Sequence, residues 1–240
     1  MDTNNRIALL TGATKGIGKA IALQLVKNKF DLCIVGRNAT ELENTSTELE
    51  TFGIKCACVT CDLANAESPE FIINEVNRLY GRLDVVINNA GLASSIPVSE
   101  TSMEVWDKIF AVNARAPFFI CKAAVPLLKQ SASPFIINIG SVVDFKGYAN
   151  QAVYASSKHA LAGFTKVLAK EVQSHGISVH LISPGGVNTE MVREMRPDID
   201  TEQLIQPEEI AELVEFIITR KGKGTIDHFY IRRFSGLAFD

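Results

Sequence analysis

Short runs of β-branched and aliphatic residues alternate with longer amphipathic stretches along nearly the whole chain. Residues 6–11, 31–36, 54–60, 84–88, 134–140, 177–183 and 226–231 read as strands. Between them, Ile17, Ile21 and Leu25 recur at helical spacing in 17–27, and Phe71, Ile72, Val76 and Leu79 do so in 69–79. The stretch 103–128 predicts two helices or one bent helix, and 152–174 carries Leu161, Phe164, Leu168 and Val172, with Gly176 as its stop. Pro207 at a first-turn position, followed by Glu208 and Glu209, opens a last helix running to Thr219. This alternation is the signature of repeated βαβ units, so the expected fold is α/β: a doubly wound parallel sheet of about seven strands in a three-layer α/β/α arrangement. No repeat, low-complexity tract or linker divides the chain, and residues 1–240 are expected to form one domain with a short lid near 189–206.

Composition narrows the classes of function without choosing among them. The chain has 240 residues, 47% hydrophobic and 21% charged, which is ordinary globular usage rather than that of a disordered, collagen-like or coiled-coil protein. Lysine plus arginine number 24 against 27 acidic residues, so no global basic field favours nucleic acid or an anionic membrane. No apolar run is read as reaching the roughly 20 residues of a membrane span. The opening Met1-Asp2-Thr3-Asn4-Asn5-Arg6 lacks the layout of a signal peptide. A cytoplasmic location is therefore expected, and the odd set of five cysteines (Cys33, Cys56, Cys58, Cys61, Cys121) agrees with a reducing compartment. Cys56-x-Cys58-x-x-Cys61 lacks the second spaced pair of a metal site, and His159, His175, His180 and His228 have no ligand spacing, so no metal is expected. His159, beside Lys158, is read as a helix-packing residue.

The chemistry-bearing residues begin after the first strand. Thr11-Gly12-Ala13-Thr14-Lys15-Gly16-Ile17-Gly18 leads straight into a helix, where glycines allow close backbone approach and free amides face an anion. Three glycines alone are weak evidence, and a plain strand-to-helix turn remains open; the position after the opening strand favours a phosphate cradle. At the end of the second strand, where a dinucleotide's adenosine ribose is approached, stands Arg37. That choice argues for the 2′-phosphate of NADP, with Lys15 able to reach the same dianion, the lesser alternative being that both are solvated surface bases. Tyr154 and Lys158, four residues apart, share one face of a helix. Such a pair is commonly just a helix surface, but a close ammonium would lower a phenol from its usual pKa of about 10 and fit it for proton transfer. Ser141 follows the apolar strand at the carboxyl edge of the sheet, where it could donate to a substrate carbonyl or simply cap a turn. Asn113, a poor helix former just ahead of Pro117, suggests a local distortion of its helix.

Together these residues resemble the short-chain dehydrogenase/reductase family, over essentially residues 6 to 220. The matches are the Rossmann-type glycine loop Thr-Gly-x-x-x-Gly-x-Gly, Asp62-Leu63, Asn88-Asn89-Ala90-Gly91, Asn113, Ser141, Tyr154-x-x-x-Lys158, and Pro184-Gly185 followed by Val187 and Thr189. The resemblance implies NADP(H) as cofactor and a catalytic set of Asn113, Ser141, Tyr154 and Lys158. Tyr154 is then the general acid in ketone reduction, Ser141 a donor to the carbonyl oxygen, and Lys158 a partner of both Tyr154 and the nicotinamide ribose. Asn113 would position a water linking Lys158 to solvent. It also implies Asp62 and Leu63 beside the adenine, Asn89, Ala90 and Gly91 at the adenosine ribose or in the central sheet, and Pro184, Gly185, Val187 and Thr189 near the nicotinamide. The segment between Thr189 and Gln206, with Met191, Val192 and Met195 apolar and Arg193 and Arg196 charged, is expected to form a mobile substrate lid. The ending Ile226-Asp227-His228-Phe229-Tyr230-Ile231-Arg232-Arg233 departs from the Asp-Gly-Gly close of many members, which puts one usual subunit contact in doubt. The implied activity interconverts a carbonyl and a secondary alcohol, with reduction the expected direction. A 3-oxoacyl thioester is the leading substrate, resembling bacterial 3-oxoacyl-[acyl-carrier-protein] reductase-like members, and a small ketone or aldehyde follows. Lys129 and Lys170 could dock an acidic carrier or be plain surface bases. A homo-oligomer, dimer or tetramer, is implied, with no nucleic-acid or membrane partner. The competing reading is a non-catalytic NADPH-binding regulator or scaffold.

Overall fold

The computed structural model describes residues 5–195 and 199–236. The chain's opening at 1–4, the lid residue Arg196 and the last residues, 237–240, lie outside the described residues. Seven strands, β1 (Ile7–Thr11), β2 (Asp31–Gly36), β3 (Cys56–Thr60), β4 (Val85–Asn88), β5 (Phe135–Ile139), β6 (Ser178–Pro184) and β7 (His228–Ile231), form one sheet in the order β3-β2-β1-β4-β5-β6-β7. Every pairing is parallel, as crossovers through helices require. The seven strands expected from the hydrophobic runs are all present, with ends displaced by at most two residues.

The layers follow from the alternation within the strands. Along β1, Ala8 and Leu10 face one core, together with Ile21 and Leu25 of α1 (Gly16–Lys27), Leu42 and Leu49 of α2 (Ala39–Glu50), and Val214 and Ile217 of α8 (Pro207–Thr219). Ile7 and Leu9 face the opposite core, with Ile72 and Val76 of α3 (Ser68–Tyr80), Ile120 and Ala124 of α5 (Ala116–Leu128) and Leu168 and Val172 of α6 (Ala152–Val172). A period-two strand buried on both sides needs apolar residues at every position, which is why the strands read as continuous hydrophobic runs. The helix α2 was not expected. Its sequence, ATELENTSTELE, offers only Leu42 and Leu49 as large apolar residues, and Thr45 and Ser46 complete its buried face. The overlooked signal is at its start, where Asn38 accepts from the Glu41 N–H and donates to the Glu41 carboxylate in a reciprocal cap.

The stretch expected as two helices or one bent one is continuous. α4 (Met103–Phe110) passes through a π-helical turn, Ala111–Arg115, into α5. Contrary to expectation, Met103–Leu128 is long and apolar enough, by length and composition, to cross a membrane. Its apolar side chains Val112, Ala116, Ile120 and Ala124 are nevertheless buried in the core beside α3 and the sheet. Gly81 and Gly176 end α3 and the turn after α6 in left-handed conformations, at φ 66° and 71°. β1 leads to β2 on one side and β4 lies on the other, so the order reverses between β1 and β4. A crevice at the carboxyl ends of these strands is the expected seat of a ligand.

Candidate active site

That crevice is a cleft of about 1350 Å³, lined by the glycine loop, the ends of β2 and β4, the turn after β5, α6 and the segment after β6. Of the residues singled out from the sequence, Gly12, Thr14, Lys15, Gly16, Ile17 and Gly18 line it, as do Arg37, Asp62 and Leu63. Asn89, Ala90 and Gly91 line it from the end of β4, and Ser141, Tyr154 and Lys158 from the sheet's centre. Pro184, Gly185, Val187 and Thr189 complete the wall. Asn113 alone among them stands behind it, buried in the π-helical turn.

The backbone at the head of α1 is built to leave donors free. Lys15 occupies the cap position without a side-chain cap hydrogen bond, and the first turn carries no acidic residue. The amides that open a helix therefore face the cleft without an internal partner, a seat for a phosphate group. Gly12 has φ 69°, and a Cβ there would stand 3.0 Å from the Ala90 Cα. At Gly18 a Cβ would fall 2.0 Å from the Gly12 carbonyl oxygen, so this loop closes only on glycine. The end of β4 is laced to it: the Asn89 side chain donates to the Thr11 and Gly12 carbonyls at 3.0 Å, and the Thr11 hydroxyl accepts from the Asn89 and Ala90 N–H groups. Asn89 is thereby committed to the loop. Asp62 accepts from the Ala64 N–H at 2.9 Å, fixing the turn that presents Leu63.

Charge at the mouth is mixed. Arg37 is exposed at the end of β2 and makes no hydrogen bond or ion pair with the described residues. Lys15 reaches across the cleft and pairs with Glu190 at the head of α7 (Glu190–Met195), which raises its pKa. Thr189, next to that pair, would meet a Cβ on Gly16 at 3.1 Å. The wall formed by the segment after β6 thus touches the glycine loop. Met191, Val192 and Met195 line the cleft, while Arg193 is turned onto the Asn188 side-chain oxygen at 2.9 Å. Lys129 and Lys170 are exposed and line no part of the cleft, and His159 is exposed rather than packed, with Nδ1 against the Ala155 carbonyl.

At the centre, Tyr154 and Lys158 are buried on one face of α6, and the Ser141 hydroxyl lies close enough to the Tyr154 phenol to act on its pKa. The expected lowering of the phenol is not found. Burial pushes Tyr154 up, the Ser141 hydroxyl pulls it down and the negative charge of Asp144 pushes it up again. The Lys158 ammonium donates instead to the Ile139 carbonyl at 2.8 Å, and burial lowers it to about 8 against the opposing pull of Asp144. For each group desolvation outweighs the opposing influence, the Ser141 hydroxyl at Tyr154 and the Asp144 charge at Lys158. Asn113 holds the loop after β4: its side chain accepts from the Leu92 N–H at 2.8 Å and donates to the Leu92 carbonyl at 2.7 Å and to Ser157 at 3.0 Å. Its own carbonyl has no α-helical donor, because the residue four positions on is Pro117. The expected distortion is this π-helical turn.

Several cleft residues were not singled out from the sequence. Glu41 accepts from the Thr14 hydroxyl at 3.3 Å, and Tyr148, Gln151, Tyr230, Arg232 and Arg233 also line the cleft. The two arginines follow β7, in the segment whose sequence departs from the family's usual close. The five cysteines are all free thiols, and burial pushes Cys33, Cys56 and Cys121 to about 12, which suits inert packing groups. No group of three or more potential metal ligands occurs among the described residues.

Comparison with known proteins gives a consistent picture. The chain matches the family described as short chain dehydrogenase over residues 6–200. It is 34% identical over 199 residues to a 3beta-hydroxysteroid dehydrogenase of Mediterraneibacter gnavus, covering 82% of this chain and 72% of the relative. Among solved structures, an alcohol dehydrogenase from Thermococcus sibiricus complexed with 5-hydroxy-NADP superposes with a TM-score of 0.90 at 26% identity, over 98% of this chain and 99% of the other. A short chain dehydrogenase from Burkholderia cenocepacia in complex with NADP gives a TM-score of 0.86 at 27% identity, over 95% of this chain and 96% of the other.

Proposed function

This chain belongs to the short-chain dehydrogenase family of oxidoreductases, and from that premise we propose that it uses NADP(H) to interconvert a carbonyl and a secondary alcohol, working as a reductase. The observation that carries the reading is the meeting of Ser141, Tyr154, Lys158 and an uncapped helix start on one cleft. The cleft fits the dinucleotide. Its pyrophosphate would rest on the amides at the head of α1, its adenine near Asp62 and Leu63, and its 2′-phosphate at Arg37, with Lys15 available if it leaves Glu190. The nicotinamide end would be held by Lys158 and the Pro184 to Thr189 wall. When bound, the nicotinamide supplies the hydride.

This chain's own residues handle the proton. A substrate carbonyl oxygen set between Ser141 and Tyr154 receives hydrogen bonds from both hydroxyls as negative charge builds on it. The phenol, raised by burial, holds its proton near neutral pH and stands as the proton donor in reduction. Tyr154 gives its proton to that oxygen and recovers one from Lys158. A lysine brought to about 8 can release and regain a proton near neutral pH. Asn113 holds the Leu92 loop and donates to Ser157, tying that loop to α6 next to Lys158.

Within this reading, a 3-oxoacyl thioester or a small ketone is the proposed substrate, covered by a lid near 189–206 whose apolar side is Met191, Val192 and Met195. The protein is further proposed to work as a dimer or tetramer in the cytoplasm, as one domain. NADPH consumption measured across 3-oxoacyl thioesters, diketones, simple ketones and steroid ketones tests it. Turnover confined to carbonyl substrates is expected. Failure on every thioester would remove the narrower assignment, and failure to bind NADPH would remove the whole reading. Arg37→Asp should weaken NADPH by roughly 10- to 100-fold, as loss of a charged hydrogen bond implies, and leave NADH much less affected.

A further inference from the structure

Beneath the site lies a buried carboxylate that the proton-transfer steps do not use. Asp144 closes the short turn Val142–Asp144 that follows Ser141. Its Oδ2 accepts from the Ser141 N–H at 3.3 Å, while the Ser141 hydroxyl accepts from the Val143 N–H at 3.4 Å, so carboxylate and catalytic serine fix one another. The same oxygen accepts a hydrogen bond from the Ser183 hydroxyl at the end of β6. With its proton so committed, the Ser183 oxygen faces His228 Nε2 at 2.7 Å, which makes that nitrogen the donor. Gly140 makes the room: a Cβ there would stand 2.4 Å from Asp144 Oδ2 and 3.0 Å from the Ser183 hydroxyl. Asp144 and Ser183 are buried, and His228 is exposed at the sheet's edge strand. The groups facing the carboxylate are Tyr154 and Lys158 from α6 and, through Ser183, His228 from β7. On the loop after the turn, the Lys146 ammonium lies 5.9 Å from the centroid of the Tyr230 ring.

We propose that Asp144 is a positioning residue for the oxidoreductase: clamped by Ser141, Ser183 and, at one remove, His228, its carboxylate fixes the serine turn and supplies the buried negative charge that Tyr154 and Lys158 face. Its catalytic consequence rests on the redox reading; its electrostatic content does not. The negative charge favours the protonated form of both neighbours, adding to the effect of burial at the phenol and opposing it at the amine. Sequence placed Ser141 in the site, but nothing in the spacing of Asp144 announces that its side chain folds back under the serine to meet a strand 39 residues further on.

The test is a titration of Lys158 by 13Cε lysine NMR, its signal identified by loss in Lys158→Arg, in the full chain and in Asp144→Asn, an isosteric change that keeps an acceptor and removes the charge. The expected result is a Lys158 midpoint lowered by roughly one pH unit, together with a high-pH limb of kcat/KM for carbonyl reduction moved to lower pH. Gly140→Ala, which retains the carboxylate but drives it from its seat, should move the midpoint the same way and guards against misfolding of the first variant. A Lys158 midpoint unmoved in both variants overturns the proposal. A shifted midpoint in a protein that never binds NADPH would instead sustain the electrostatic role of Asp144 and refute the redox reading.

Discussion

Tyr154 shows how one side chain's chemistry depends on what surrounds it. From sequence, a lysine one turn away promises an acidified phenol; in the fold, burial is the larger effect and the phenol is raised, so it holds its proton more tightly than a free tyrosine. Tyr154→Phe should cut turnover by roughly 10²- to 10⁴-fold, the usual contribution of a general acid, with NADPH affinity retained by fluorescence titration. A regulator of the same fold would keep its partner response in that variant. Lys158 yields a stability prediction whose sign follows from its lowered pKa. Between about 8 and the usual value of 10.5 the unfolded chain binds more protons than the folded one, so stability rises with pH through that window. Below it, burying the ammonium costs about 3 kcal/mol. Lys158→Met should therefore raise the melting temperature at pH 7 while abolishing turnover, and the gain should shrink towards pH 10 in thermal melts.

Among the elements, α6 matters most, because it carries both Tyr154 and Lys158 and must be held in register with the sheet. A buried ladder does this: the Asn88 amide donates to Asn138 at 2.8 Å, Asn138 donates to Thr165 at 2.8 Å, and the Thr165 hydroxyl donates to the Leu161 carbonyl at 2.7 Å. Thr165→Val keeps the shape but strands the Asn138 donor, and should cost about 1–3 kcal/mol in denaturant unfolding. Some kcat should be lost with it as α6 loosens. The helices that could be read in advance were those with large apolar residues at helical spacing. α2 escaped because its buried face is made partly of Thr45 and Ser46, whose burial no periodicity of large apolar residues signals. The π-helical turn around Asn113 was legible only as a disturbance, since Pro117 removes a donor without saying how the backbone accommodates the loss.

For the molecule as a whole, the outer side of α4, α5 and α6 leaves Met103, Trp106, Phe118, Phe119 and Val167 exposed, between 40% and 70% each. Phe118 stacks obliquely on Phe164, 4.8 Å between ring centroids, and so joins α5 to α6 on that side. The proposed dimer or tetramer would cover such exposed apolar residues. The protein is expected to sediment as a dimer or larger, and Phe118→Asp should shift it towards the monomer while leaving the fold intact by circular dichroism. A monomeric wild type at micromolar concentration would refute the proposed assembly.

The chain's own order of residues determined the parallel α/β architecture, the glycine loop and the family to which they belong. Strand–helix alternation, close backbone approach and side chains one helical turn apart are local consequences of backbone geometry, and a linear text preserves them. Only the tertiary structure decided the direction in which Tyr154 and Lys158 titrate, the pairing of Lys15 with Glu190, and the seating of Asp144 on Ser183 beneath Ser141. Those outcomes depend on desolvation and on contacts between residues far apart in the chain, and both come into being only when the sheet has closed around them.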